Sequence, residues 1–279
     1  MSADTVVLVV GIGGPTNSGK TTLAQNLAAI LQPPTSHASS FIDSIDILHQ
    51  DDFCPPKDEM PWNEKWQVTD WDTPNGSSDY RRLEKTIRYF RDHQCLPPDF
   101  QSSEHRRSNY KCSLPPEELV KRQELFHSLL QAHIGAIEGA RPTHKRIKIL
   151  IVEGFLVFYD AQVRHLYDVR IFLRVSRAMM YKRRVERANY ILEDGEVWED
   201  PPFYFDEIVW PAYLEAHAKM FENSDVEHGA LLPTSDENNT DGGPVKDLVL
   251  IEAEALQKEG VTDQACQAVL HGLQALIHV

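Results

Sequence analysis

Residues Gly14 to Thr21 read GPTNSGKT, in which a glycine and four further residues precede Gly19-Lys20-Thr21. This G-x-x-x-x-G-K-[ST] spacing is typical of a loop whose backbone N–H groups surround phosphate oxygens, because glycine permits dihedral angles and close approaches that side chains forbid. The Lys20 ammonium would reach the β- and γ-phosphates of ATP, and the Thr21 hydroxyl would hold Mg²⁺. The predicted ATP contacts in this loop are Gly14, Thr16, Asn17, Ser18, Gly19, Lys20, Thr21 and Thr22.

The residues on both sides of this loop indicate a strand followed by a helix. Val6 to Ile12 is a continuous apolar run typical of a buried parallel strand, and the apolar positions between Thr21 and Leu31 recur at helical spacing. Further apolar runs predict strands over 41–48, 147–152, 169–175 and 248–251. Strands that alternate with helices predict an α/β fold, namely a three-layer P-loop NTPase fold around a central parallel sheet.

The rest of the chain is predicted as additions to this sheet. We interpret residues 1–279 as a single domain with an insertion over about 94–146, which begins as a proline-containing polar loop and continues as a helix over 117–138. Other helices are predicted over 78–92, 177–190 and 263–277. A helical lid is predicted over about 176–204, and residues 54–76 are predicted to form a loop.

The overall charge narrows the choice of partners. A formal charge of -14 would repel a nucleic-acid backbone, whose neutralisation needs clustered Lys and Arg, and no apolar run has the length of a membrane span. The four cysteines are far apart and form no C-x-x-C pair, which favours a reducing compartment. We therefore expect a cytoplasmic monomer or small homo-oligomer that binds small molecules, and a nuclear presence is left open.

Two acidic positions follow predicted strands. Asp51 and Asp52 come directly after the second strand, at the carboxyl end where ligands bind in open α/β sheets. A carboxylate there can accept the proton of an attacking hydroxyl and help to position Mg²⁺. Glu153 ends the apolar strand ILIVE and is a second candidate for Mg²⁺. The twelve histidines show no metal-ligand spacing, and His49 is interpreted as a strand-end residue without a role.

A basic cluster lies in the predicted lid. Arg183, Arg184 and Arg187 have the spacing that places side chains on one face of a helix. Three guanidinium groups on one face can close over ATP and stabilise the charge of a phosphoryl group in transfer. The alternative is a solvated basic face paired with Glu186.

Together with the loop, several separate motifs resemble the uridine kinase and nicotinamide riboside kinase group. They are QDDF at 50–53, the W-D-x-P step at Trp71 to Pro74, VEGFLVF at 152–158, the RR-x-x-R lid and FDEIVWPAY at 205–213. The match covers about residues 5 to 215 in pieces, and the T-N-S-G-K-T-T, Q-D-D-F and E-G-F-L segments are more like nicotinamide riboside kinases. The resemblance implies phosphorylation of a riboside 5'-hydroxyl by ATP, feeding NAD biosynthesis.

The resemblance also implies roles for single residues. Asp51 would be the general base and a Mg²⁺ partner, Asp72 would bind the ribose hydroxyls, and Arg184 would lie near the substrate, with Lys20 completing the catalytic set. Arg183 and Arg187 would lie near ATP. The predicted riboside contacts are Asp51, Asp52, Phe53, Trp71, Asp72, Arg184 and Tyr190, and the predicted metal partners are Thr21, Asp51 and Glu153.

The choice of base depends on aromatic residues. A pyridinium cation is attracted to aromatic faces, so Trp71 and Tyr190 would favour nicotinamide riboside over a neutral uracil. Three alternatives remain open: nicotinic acid riboside as the acceptor, a uridine or cytidine kinase, and a P-loop ATPase switch or regulatory nucleotide-binding protein. A GTPase is disfavoured because the chain has no N-K-x-D base-recognition motif.

Overall fold

A central parallel sheet of five strands organises the chain. The computed structural model describes residues 5–33, 41–102, 112–138, 146–187, 190–191, 197–234 and 240–277, with the backbone alone for 190–191 and 197–198. The sheet consists of β1 (Thr5–Gly13), β2 (Ile42–His49), β5 (Arg146–Glu153), β6 (Val169–Arg174) and β9 (Leu248–Glu252), in the order β2-β5-β1-β6-β9. All four pairings are parallel, which confirms the predicted α/β fold class.

Helices cover the sheet and connect its strands. They are α1 (Lys20–Leu31), α2 (Tyr80–His93), α3 (Pro116–Glu138), α4 (Ala161–Arg164), α5 (Arg177–Arg187), α6 (Trp210–His217) and α7 (Lys258–Ile277). Helices predicted from apolar spacing over 21–31, 78–92 and 117–138 are confirmed within two residues at each end. The final helix begins at Lys258 rather than at Asp263, and Gly260 lies in its first turn.

The predicted helix over 177–190 is too long. Helix α5 ends at Arg187, and Tyr190–Ile191 forms strand β7, which pairs in antiparallel fashion with β8 (Val197–Trp198). Aromatic and β-branched residues favour such a ladder, and their pairing depends on a partner several residues further along the chain. The lid region therefore contains a helix and a short hairpin.

Two further segments differ from the prediction. Residues 54–76 are mostly loop, but they contain a small hairpin of β3 (Trp62–Asn63) and β4 (Val68–Thr69). A π-helical turn at Phe205–Val209 leads directly into α6, where no helix was predicted from the apolar spacing. Tyr204, Tyr213 and Val209 of this region are buried, so it forms part of the core.

The core lies on both faces of the sheet. Leu8, Val9 and Val10 of β1 are all fully buried, and successive side chains of a strand point to opposite faces. Leu27 of α1 and Leu273 of α7 are fully buried as well. The buried apolar residues form one contiguous cluster, and a single domain remains our proposal for the whole chain. Within the described ranges, no helix has the length and hydropathy needed to cross a membrane.

The sheet order determines where polar residues meet. Strands β2, β5 and β1 are neighbours and run in the same direction, so their carboxyl ends lie side by side at one edge. The GPTNSGKT loop follows β1, the Asp51–Asp52 pair follows β2, and Glu153 is the last residue of β5.

Candidate active site

The loop after β1 has the backbone that its glycines allow. Gly14 has φ of 144°, and an added Cβ would lie 2.6 Å from the Leu173 carbonyl oxygen, so a side chain is excluded there. Gly19 has φ of 99° at the start of α1, in the left-handed region that glycine adopts at little cost. The α1 N-terminus therefore begins directly below the loop, with the orientation that binds anions.

Lys20 is buried at the base of this loop. Its Nζ donates a hydrogen bond of 2.8 Å to the Pro15 carbonyl oxygen. Burial lowers the pKa of Lys20 below its ordinary value, whereas the nearby charges of Glu153 and Asp51 raise it. Because the negative groups of two neighbouring strands act on the same ammonium, the loop and both acidic positions share one site.

Glu153 accepts two hydrogen bonds at the end of β5. Its Oε1 lies 2.9 Å from Thr21 Oγ1 and 2.7 Å from His49 Nδ1. Burial raises the pKa of the carboxyl, but the bond and charge of His49, the charge of Lys20 and the Thr21 bond outweigh it, so the pKa is lowered overall. The carboxylate is therefore held in its ionised form inside the protein.

These oxygen atoms fit a magnesium ion. Mg²⁺ prefers oxygen ligands and is usually bound through one or two carboxylates together with the phosphates of a substrate. The Thr21 hydroxyl and the Glu153 carboxylate supply such donors beside the phosphate-binding loop. Within the described residues, no group of three or more His, Cys, Asp and Glu side chains is arranged to hold a metal ion.

Asp51 and Asp52 face different surroundings. Asp51 is exposed, and its charge acts on both Lys20 and Asp72. Asp52 is buried, and its Oδ2 accepts a 2.7 Å hydrogen bond from Ser102 Oγ. Asp51 therefore lies at the surface near Lys20 and Asp72, whereas Asp52 points into the protein.

Phe53 also points into the protein. It is fully buried, its ring centroid lies 5.9 Å from that of Phe100, and the Arg82 guanidinium covers it at 4.9 Å. The prediction that Phe53 contacts the riboside does not fit this placement, because Phe100 and Arg82 pack against the ring. Phe53 instead anchors the 3₁₀ turn Gln50–Phe53 that carries Asp51.

Tyr204 holds the backbone at Trp71, next to Asp72. The Tyr204 hydroxyl accepts a 3.1 Å hydrogen bond from the Trp71 N–H and donates one of 3.3 Å to the Thr69 carbonyl oxygen. Burial raises the pKa of Asp72 to about 6, and the Arg184 charge opposes that rise. A carboxylate that titrates this high can change its charge near neutral pH.

The lid arginines reach the loop and Asp72. Arg184 Nη2 lies 3.8 Å from Asp72 Oδ2, and the same guanidinium is paired with Asp200. Arg183 Nη1 donates to the Asn17 carbonyl oxygen at 3.3 Å, and Arg187 Nη1 to Asn17 Oδ1 at 3.4 Å. Arg184 Nη1 lies 3.4 Å from Thr16 Oγ1, so all three arginines contact the phosphate-binding loop, two through Asn17 and one through Thr16.

The structure brings most of the predicted residues together and adds three. Lys20, Thr21, Asp51, Asp72, Glu153 and the lid arginines lie close to one another beside the phosphate-binding loop, while the side chain of Tyr190 lies outside the described residues. His49, Asp200 and Tyr204 were not predicted. The contact of His49 with Glu153 could have been predicted only if the strand order had been known. No sequence pattern identifies Asp200 as the partner of Arg184 or Tyr204 as the partner of Trp71.

Comparison with known proteins defines the class. Residues 9–190 match the family described as phosphoribulokinase / uridine kinase, which covers well over half of the chain. The chain belongs to this family, as the motifs quoted from its sequence predicted.

Its similarity to individual proteins is more specific. The chain is 30% identical to a nicotinamide riboside kinase from Eremothecium gossypii over 81% of its length and 82% of that protein. It is 29% identical to the nicotinamide riboside kinase of Schizosaccharomyces pombe over 78% of its length and 83% of that protein. It is 27% identical to the nicotinamide riboside kinase of Saccharomyces cerevisiae over 86% of its length and 91% of that protein.

Proposed function

We propose that this chain transfers the γ-phosphate of ATP to the ribose 5'-hydroxyl of nicotinamide riboside, forming the mononucleotide that feeds NAD biosynthesis. Relatives that carry this activity in their names match most of the chain. The observation that carries the proposal is the convergence of Lys20, Asp51 and Asp72 in one cleft, where each carboxylate acts on the ammonium. A phosphate-binding loop thus faces a general base and a ribose-binding acid.

Asp51 is the general base of the proposed reaction. Its carboxylate accepts the proton of the 5'-hydroxyl as that oxygen forms a bond to the γ-phosphorus and the bond to the β–γ bridging oxygen breaks, which releases ADP. The exposure of Asp51 to the cleft supports this role, since Asp52 is engaged by Ser102. A proton acceptor placed in this way contributes about 10²- to 10⁴-fold in rate.

Positive charge in the site stabilises the phosphoryl group. Lys20 lies within the loop, and Arg183 and Arg187 reach it through Asn17. Such charges act where negative charge develops on the transferred group, in surroundings that screen them less than water does. Mg²⁺, held at Thr21, Glu153 and Asp51, would neutralise phosphate charge when bound with ATP.

The riboside is held by the opposite wall. The Asp72 carboxylate accepts hydrogen bonds from the ribose hydroxyls, and Arg184 lies beside it. Trp71, held by Tyr204, offers an aromatic face to the pyridinium ring. Tyr190 would pack on the same ring together with Trp71, as the motif resemblance implies.

The test is direct identification of the product. The purified chain, ATP and Mg²⁺ are incubated with nicotinamide riboside, nicotinic acid riboside, uridine and cytidine in competition, and the 5'-monophosphates are separated and quantified. Nicotinamide mononucleotide as the main product, absent with Lys20→Ala, is the expected result. A dominant uridine product would assign the chain to the uridine kinase alternative, which its family description names. ATP hydrolysis that no riboside stimulates would favour an ATPase switch.

The setting of the reaction is part of the proposal. Cys54, Cys95, Cys112 and Cys266 are all free thiols, which fits a reducing compartment such as the cytoplasm. Gel filtration with light scattering would measure whether the protein is a monomer or a small homo-oligomer.

A further inference from the structure

His49 and Glu153 lie side by side at the ends of neighbouring strands. His49 is the last residue of β2, Glu153 is the last residue of β5, and the two are directly paired in the parallel register. His49 Nδ1 is 2.7 Å from Glu153 Oε1, and their side chains are 12% and 7% exposed. A carboxylate that binds a metal ion can only accept hydrogen bonds, so in the tautomer that fits this contact Nδ1 carries the proton and donates it.

The hydrogen bond from His49 restricts how Glu153 can rotate. The same Oε1 atom accepts a 2.9 Å hydrogen bond from the Thr21 hydroxyl. One donor on helix α1 and one on strand β2 therefore converge on a single oxygen. A Glu side chain has three rotatable bonds, and the loss of one donor would allow other orientations of its carboxylate. Orientation matters here because the donor atoms of a metal site must be placed within a fraction of an ångström.

The backbone next to this pair is also locked. Gln50 Oε1 accepts a 2.7 Å hydrogen bond from the Leu156 N–H. The Gln50 side chain also fills the space that Gly154 leaves, where an added Cβ would lie 2.3 Å from Gln50 Cβ. The ends of β2 and β5 are therefore held at a set separation, and the His49–Glu153 contact follows from that separation.

We propose that His49 is a positioning residue for the metal site, whose Nδ1–H holds the Glu153 carboxylate beside Thr21 in the orientation that binds nucleotide-associated Mg²⁺. This inference rests on the proposed function, which supplies the metal. Groups that orient the ligands of a metal change its affinity by about 10- to 100-fold when they are removed. His49 itself touches neither the nucleotide nor the riboside in this assignment.

The test measures metal affinity directly. Mn²⁺ replaces Mg²⁺ as a paramagnetic probe, and its dissociation constant from the complex of the full chain with ADP is determined by electron paramagnetic resonance. We compare wild type with His49→Ala, His49→Leu and His49→Asn. Asn is the matched control, because its Nδ2 is bonded to Cγ as Nδ1 is in His and can donate to Glu153.

We expect the Mn²⁺ dissociation constant to rise about tenfold or more in His49→Ala and His49→Leu, while His49→Asn stays near wild type. The Mg²⁺ concentration for half-maximal rate should rise in parallel, with the KM of the riboside unchanged. Leu retains bulk without a donor, so the comparison of Leu with Asn decides the question even if the Ala variant does not fold.

Two results would overturn the inference. One is unchanged Mn²⁺ affinity in both the Ala and Leu variants, and the other is an equal loss in Leu and Asn, which would assign His49 a packing role only. Failure of the proposed metal site is distinguishable, because the wild-type ADP complex would then bind Mn²⁺ no more tightly than free ADP does.

Discussion

The Arg184 guanidinium donates two hydrogen bonds to the Asp200 carboxylate, with Nη2 3.0 Å from Oδ1, and the two side chains are 8% and 22% exposed. The charge of Arg184 is therefore neutralised by a carboxylate of the protein itself. The same guanidinium lies 3.8 Å from Asp72. By binding Arg184, Asp200 therefore fixes the position of this positive charge beside the proposed ribose site.

The first prediction concerns this pair. Asp200→Ala leaves the buried guanidinium with Asp72 as its nearest carboxylate, so Arg184 should move toward Asp72 and compete with the ribose hydroxyls. We expect the KM for nicotinamide riboside to rise several-fold, and the free energy of unfolding to fall by about 1–3 kcal/mol. Steady-state kinetics and urea unfolding measure the two effects.

The control is a similar pair at the surface. Arg177 and Asp206 form an ion pair whose side chains are 45% and 55% exposed. Asp206→Ala should cost less than about 1 kcal/mol and leave the KM unchanged, because solvent screens such pairs. Equal effects of the two variants would contradict a specific role for Asp200.

A second prediction separates the neighbouring aspartates. Asp51→Ala should lower kcat by about a hundredfold or more, because the proposed proton acceptor is lost. Asp52→Ala should retain most of kcat but lower the free energy of unfolding by about 1–3 kcal/mol, because the hydrogen bond between the buried Asp52 carboxylate and the Ser102 hydroxyl is lost. If Asp52→Ala loses more kcat than Asp51→Ala, the assignment of the base is wrong.

The third prediction relates acceptor choice to Trp71. A pyridinium stacked on the indole should gain on the order of one or two kcal/mol over a neutral base. Trp71→Ala should therefore raise the KM for nicotinamide riboside more than that for uridine, with little change in kcat. Asp72→Ala should weaken both ribosides alike, because they share the ribose. An unchanged preference in Trp71→Ala would remove the indole from base recognition.

A fourth prediction uses the raised pKa of Asp72, about 6. Below that pH the carboxyl is protonated and loses acceptor capacity for the ribose hydroxyls, so the KM for the riboside should rise as the pH falls through about 6. Asp72→Asn should have a high KM at every pH, without this transition. A wild-type KM that stays constant from pH 5 to 8 would contradict the role of Asp72.

A fifth prediction concerns stability, to which Asp72 should contribute more at low pH, whereas its contribution to riboside binding is larger at high pH. Between the ordinary pKa of 3.8 and about 6 the native state binds the Asp72 proton more tightly than the unfolded chain, so this group's contribution to stability falls as the pH rises through that window. A difference of about two pKa units corresponds to about 3 kcal/mol. The free energy of unfolding of Asp72→Asn relative to wild type should increase by up to about that amount from pH 4 to pH 8.

Much of the fold could be predicted from local patterns. The apolar run before Gly14, the GPTNSGKT loop and the helical spacing after it determine a strand, a phosphate-binding loop and a helix through interactions among neighbouring residues. The lid arginines were predicted for the same reason, because i, i+3 and i+4 side chains share a helix face in any context. The predicted end of that helix at residue 190 was wrong, because Tyr190 pairs with a strand further along the chain, β8.

The site itself required information that no local pattern contains. The residue types and their spacing are enough to identify which residues can bind phosphate and accept a proton. Three placements depend on tertiary packing: Asp51 is exposed while Asp52 is buried against Ser102, Asp200 neutralises Arg184, and His49 holds Glu153. The last contact joins residues 104 positions apart through the adjacency of β2 and β5, and strand order depends on how all the strands and helices pack together.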